Sequence, residues 1–163
     1  MERAGHRILA VAGICLFTLS CGDLFAPSVP LERLREAPLQ IEIDGRQYTL
    51  ETSLWRDFMP PTSPGGSDLA AVIDITAVDK LPFPAEIDSN KLWVINGEEV
   101  WETGFAEELR PPDQGHLYQL RKVARGGPKW EVGSQVEVVV RVITRSGGIY
   151  LLRATNQKIG MTC

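Results

Sequence analysis

The sequence predicts an all-β domain, an antiparallel sandwich of about seven strands, and three observations support it. Apolar residues recur at every second position in several short runs, the period of a half-buried strand. Fifteen Gly and eleven Pro fall mostly between those runs, where they punctuate turns and disfavour long helices. Apolar residues make up 44% of the chain and charged residues 23%, so its bulk can bury a core.

The first paired element is "LQIEIDGRQYTL" (39–50). Leu39, Ile41 and Ile43 share one face, Asp44-Gly45 supplies the two left-handed residues of a type I′ turn, and Tyr48 and Leu50 return. "LAAVIDITAV" (69–78) is a strand interrupted by Asp74. "KLWVINGEEVW" (91–101) reads as a second hairpin with Asn96-Gly97 as its loop, which sets Trp93 opposite Val100 and Leu92 opposite Trp101. Large apolar pairs on both faces imply burial on one side and partial cover on the other. "LYQLRKVA" (117–124) alternates less cleanly. "QVEVVVRVI" (135–143) carries the clearest strand pattern, with Val136, Val138, Val140 and Val142 on one face and Glu137 and Arg141 on the other. "RSGG" (145–148) then turns the chain into "IYLLRA" (149–154).

This succession of strands and turns resembles an immunoglobulin-like sandwich, with Trp93 or Trp130 as the large aromatic between the sheets. The likeness is one of architecture, since no Cys pair flanks either Trp. From "WRDFMPP" through "LWVINGEEVW" to "PKWEVGSQVEVVVRV" the folded part, 39–163, is also similar to small bacterial lipoproteins of no assigned function.

The N-terminus carries a different pattern. "MERAGHR" holds two Arg, and "ILAVAGICLFTLS" (8–20) follows as an uncharged run. As a helix it would span roughly 20 Å against a hydrocarbon core of about 30 Å, so it reads as the apolar region of a signal peptide, 1–20. The run closes on Thr18-Leu19-Ser20-Cys21, which resembles the lipobox of bacterial lipoproteins. That resemblance implies removal of the signal after Ser20, and a diacylglyceryl group with palmitate-like chains on the thiol of Cys21, the new first residue. Two or more acyl chains hold a protein stably on a membrane. Gly22 after the Cys resembles the outer-membrane class of that family. Residues 21–38, with Pro27, Pro30 and Pro38, read as a tether up to roughly 50 Å long. Within it "LERLRE" (31–36) has the make-up of one or two helical turns that rest on the sandwich.

Cys15 would leave with the signal, so Cys21 and Cys163 remain and no internal disulfide framework is expected. Cys163 is either free or cross-links two chains. The whole chain carries a net charge of −4. Removing 1–20 takes away Arg3, Arg7 and Glu2, leaving 15 basic against 20 acidic side chains, a charge of −5. An acidic domain without a Lys/Arg run lacks the phosphate-neutralising patch that nucleic acid requires.

For catalysis, His116 is the one histidine left after the signal, and it lies beside Asp113 in "PPDQGHLYQ". No nucleophile elbow accompanies it, so a hydrolase centred on His116 ranks below a non-enzymatic role. One His and a terminal Cys do not build a closed zinc site, and no EF-hand spacing is present. Asp74, Asp79, Asp88 and Asn90 are the candidates for a calcium site, should they converge. Trp55, Trp93, Trp101 and Trp130 are candidates for glycan stacking or for core, with Trp55 and Trp130 nearest to loops. No cofactor is expected. Two loops stand out, "FMPPTSPGGSD" (58–68) and "ELRPPDQGH" (108–116), whose Pro60, Pro61, Pro64, Pro111 and Pro112, with His116, are the binding candidates. Proline stiffens such loops and lowers the entropy lost when a partner docks. The expected protein is a non-enzymatic lipoprotein of the bacterial cell envelope, anchored through Cys21 and facing periplasm or exterior. Its loops would bind another envelope protein or a glycan.

Overall fold

The computed structural model describes residues 28–162. Ser20, Cys21, Cys163 and the signal segment lie outside the described residues. The described chain is all-β, as expected: one short helix and nine strands. They are α1 (Leu31–Arg35), β1 (Gln40–Ile43), β2 (Arg46–Asp57), β3 (Leu69–Ala77), β4 (Ile87–Asn96), β5 (Glu99–Thr103), β6 (Glu107–Leu109), β7 (Gln119–Gly127), β8 (Gln135–Thr144) and β9 (Ile149–Thr162). The strands form one curled sheet in the order β5-β4-β8-β9-β2-β3-β7-β6, with β1 beside β2.

Two expectations change. The sheet is mixed, because β2 and β9 pair in parallel from Leu54↔Ile159 to Asp57↔Thr162. The last strand, expected over 149–154, continues to Thr162 as β9. A bulge opposite Val136–Val138, with Asn156 at φ 57°, bends β9 so that it leaves β8 and joins β2. The strands also number nine. The short edge strand β6 gave no periodic signal, since all three of its residues are exposed.

The inner faces of the curled sheet enclose one core. Tyr48, Leu50 and Leu54 of β2, Ile73 and Ile75 of β3, Val138, Val140 and Val142 of β8, and Leu152 of β9 meet there with Trp101 and Trp130. Trp101 lies against Gly127, where a Cβ would come within 2.7 Å of the indole. The 44–45 turn forms as predicted, with Asp44 at φ 51° and Gly45 at φ 76°.

The second hairpin differs from its expected register. Its loop residues are Gly97-Glu98, so Asn96 faces Glu99, Val94 faces Trp101 and Trp93 faces Glu102. Gly97 has φ 60° while Glu98 keeps an ordinary φ, the pattern of a type II′ turn with Gly first. Trp93 does not lie between the inner faces: Leu92 and Val94 join the core, so Trp93 between them points the other way. It belongs to a second cluster on the outer face with Ile95, Val139, Leu34 and Ala37.

The predicted helix at 31–36 forms as α1 and supplies that cover. Leu34 is fully buried against the sheet, Arg35 donates to the Gly97 carbonyl at 2.5 Å, and the Arg153 amide donates to the Pro38 carbonyl at 2.9 Å. At the start of this strap the Ser28 amide donates to Glu102 at 2.7 Å, and Lys91 pairs with the same carboxylate at 2.8 Å. Burial alone would raise the Glu102 carboxyl, but Lys91 and Ser28 outweigh it and hold it at about 2, against 4.5 ordinarily. A depressed carboxyl stabilises the fold above its unfolded pKa and loses that contribution as pH falls through the folded one. Wild type should therefore exceed Glu102→Gln by on the order of 2 kcal/mol at pH 6, with the gap closing between about pH 4.5 and 2. Urea unfolding of both proteins at pH 6 and pH 2.5 measures this. A gap independent of pH would rule out the carboxylate clasp.

Candidate functional site

The β3 ladder places the two Pro-rich loops at opposite ends of the domain. Loop 58–68 joins the end of β2 to the start of β3, whereas loop 110–118 enters β7 at Gln119, opposite Thr76 near the far end of β3. The seven steps from Leu69 to Thr76 separate the two ends by roughly 23 Å. Pro60, Pro61 and Pro64 thus share no surface with Pro111, Pro112 and His116. Each loop contains a cis X–Pro bond, Pro60–Pro61 and Arg110–Pro111.

At the first end, Arg56 organises the loop. Its side chain is 6% exposed and donates to four carbonyls: Ser67 at 2.9 Å, Trp130 at 3.1 Å, Lys129 at 3.3 Å, and Gly65. The guanidinium also lies 5.1 Å from the Phe58 ring centre. Phe58 in turn covers Gly66, whose φ is 73° and where a Cβ would meet the ring at 2.6 Å. Asp57 closes the base by accepting from the Met59 amide and the Thr162 hydroxyl, both at 2.9 Å. These two donors, the Met59 amide first, lower its carboxyl pKa. The tip that remains outside carries Phe58, Met59 and, from β9, Met161, all large apolar side chains open to solvent.

Arg56 is not among the expected site residues, although its place in the strand signals it. Counting by twos along β2, Arg56 follows Tyr48, Leu50 and Leu54 on the inward face, so a cation occupies a core position. Lys122 shows the same signal between Leu120 and Ala124 in β7. It too is buried, and pairs with Asp88 at 2.8 Å and with Glu108.

At the other end, Arg46 grips Asp79 through two bonds of 2.7 and 2.8 Å and reaches the Leu81 and Pro82 carbonyls. That bidentate grip lowers the Asp79 carboxyl. Arg110 donates to the Pro84 carbonyl at 2.8 Å and to Glu108 at 3.1 Å. His116 and Asp113 do meet, at 2.8 Å, and this contact lowers the Asp113 carboxyl. The imidazole is exposed, with Tyr118 tilted against it at 5.9 Å.

The oxygen ligands considered for calcium do not come together. Asp74 is held by Arg121 through two 2.8 Å bonds on the face of β3, Asp79 by Arg46, Asp88 by Lys122 and Arg110, while Asn90 accepts from Arg141. Among the described residues no three His, Cys, Asp or Glu gather as a metal-binding group. Of the tryptophans, Trp93, Trp101 and Trp130 are buried, and Trp130 donates from its indole to Glu99 at 2.5 Å. Trp55 is half-buried beside Asp57, Ser67 and Arg125 in a shallow cleft of about 360 Å³.

No helix among the described residues is long and apolar enough to cross a membrane. Comparison with protein-family models, with curated proteins and with solved structures finds no match to this chain.

Proposed function

We propose that this chain is a non-enzymatic lipoprotein of the bacterial cell envelope, anchored through Cys21, that binds another envelope component through its Pro/Gly-rich loops, foremost 58–68. We also read its curled sheet as an immunoglobulin-like sandwich. Strand order supports that reading: β2, β3, β7 and β6 stand in the A-B-E-D places, and β4, β8 and β9 in the C-F-G places with β5 as C′. Loops at the ends of such sandwiches commonly carry recognition.

The observation that carries the binding role is the clamp at Arg56. One buried guanidinium holds the Gly65 and Ser67 carbonyls of loop 58–68 together with those of Lys129 and Trp130 and so fixes the loop's base, while Phe58, Met59 and the prolines stay outside. A loop held in one shape with apolar side chains exposed loses little entropy on docking. Exposed aromatic and Met side chains are also the types enriched at protein interfaces.

The test replaces residues 60–64 by Gly and Ser, which spares the Gly65 and Ser67 carbonyls that Arg56 needs. Cross-linking in the native host, with a tag after Cys163, should recover a specific envelope protein with wild type. Recovery should fall about tenfold or more with the swapped loop, the loss of one interface anchor or more. Cys21→Ala should lose the partner by leaving the membrane. Equal recovery with the swapped loop would refute the role of 58–68.

A further inference from the structure

The outer face of the β4–β8–β9 half of the sheet is only partly covered. Helix α1 is five residues long, about 8 Å, and its Leu34 seals Trp93, Ile95 and Val139. Further along the same face Arg141 pairs with Leu151 and Ile143 with Ile149, beyond the end of the helix. The uncovered part forms a cleft of about 500 Å³ between the strap and the β8–β9 hairpin. Such a volume lies within the range of small-molecule sites, roughly 300–1,000 Å³.

Its walls have two kinds of chemistry. Val29 and Pro38 from the strap face Leu151 and Ile149 from β9, and Ile149 is 68% exposed. Arg33 and Arg141 supply two cations against one acid, Glu36. Among the described residues neither guanidinium forms an ion pair. Arg141 donates through Nε to the neutral Asn90 amide oxygen at 2.8 Å, which orients its fork and leaves its charge unbalanced. Several other arginines are matched to carboxylates, as Arg46 is to Asp79 and Arg121 to Asp74, while Arg56 has four carbonyls for partners. Unbalanced guanidinium groups beside an apolar wall suit a ligand with both an anionic head and a hydrocarbon chain.

We propose that this cleft binds an amphiphilic anion, a hydrocarbon chain ending in a carboxylate or a phosphate ester, with Arg33 and Arg141 on the head and Ile149 and Leu151 along the chain. The cleft lies on a sheet face rather than at loop 58–68, so this site stands or falls separately from the partner-binding loop.

The probe is dansyl-labelled undecanoic acid, titrated by fluorescence into the full chain carrying Cys21→Ser in detergent-free buffer, with its methyl ester as the uncharged control. The acid should bind saturably and the ester about tenfold or more weakly, the loss of charge-assisted bonds to the head. Arg33→Ala combined with Arg141→Ala should weaken the acid by a similar factor and leave the ester unchanged. Ile149→Asp should weaken both. Should the double variant lose its fold by circular dichroism, Glu36→Gln serves instead and should tighten the acid about threefold by removing a like charge. Displacement by dodecanoate identifies a free fatty acid as the source, and displacement by phosphatidylglycerol vesicles identifies a lipid headgroup. Absence of saturable binding, equal binding of acid and ester, displacement by neither competitor, or charge variants without effect would overturn the site.

Discussion

Trp93→Ala is expected to destabilise the domain by about 3–5 kcal/mol, the cost of emptying a buried Trp site that cannot collapse. The side chain is fully buried and central to the outer cluster, with Ile95 and Val139 on the sheet and Leu34 and Ala37 above it. The sheet cannot move to fill the space, because β4 is hydrogen-bonded to β5 on one side and β8 on the other. The strap is free to move, and losing its main contact should release residues 28–38. Two readouts follow: a lower unfolding free energy in urea, and trypsin cleavage after Arg33 or Arg35 under conditions where wild type resists. A variant within about 1 kcal/mol of wild type and equally resistant would show that α1 is held by its polar contacts at Glu102 and Gly97 instead.

Arg56→Met should have the next largest effect, about 3 kcal/mol or more. Methionine fills part of the space but leaves the carbonyls of Gly65, Ser67, Lys129 and Trp130 without their donor. A buried acceptor stripped of its partner costs about 1–3 kcal/mol, and water entering at the loops recovers part of that. For a domain of this size the melting temperature should fall by roughly 10 °C. Arg56→Lys should recover little, since three donors on a point charge cannot span the four acceptors of a planar fork. Calorimetry gives the stability, and amide exchange locates the damage. Faster exchange should appear in 58–68 and 128–134 together, two segments that this side chain ties to each other. Exchange confined to 58–68 would show that Arg56 does not hold the two loops to each other.

The period-two runs identified nearly every strand because side-chain direction alternates regardless of what the strand pairs with. Val136 to Val142 could lie only with that face inward, and Asp44-Gly45 could reverse the chain at little steric cost, Asp being tolerated and Gly free at positive φ. The 91–103 hairpin shows the limit of this logic. Moving its loop from Asn96-Gly97 to Gly97-Glu98 changes each partner by two positions, so Trp93, Ile95, Val100 and Glu102 share one face in either register. Hydrophobic alternation cannot distinguish the two. Backbone twist at Gly97 and the contacts that Glu102 and Glu98 make with Lys91, Ser28 and Arg35 accompany the register that forms.

The candidate sites were less legible for a related reason. Pro60 and Pro111 announce stiff loops, but whether those loops share an end depends on strand order, and strand order rests on pairings between distant segments. Arg56 meets Trp130 across 74 positions, and the cleft joins a strap at 29–38 to a hairpin at 141–151. Alternation, the Asp44-Gly45 turn and the short helix are local properties, carried by residues within a few positions of each other, and the amino-acid sequence by itself determined them. The parallel β2–β9 seam, the outward placement of Trp93 and the clamp at Arg56 are balances among distant groups competing for the same core and the same carbonyls. Only the tertiary structure decided those, because none of the competing arrangements alters the local pattern of any one strand.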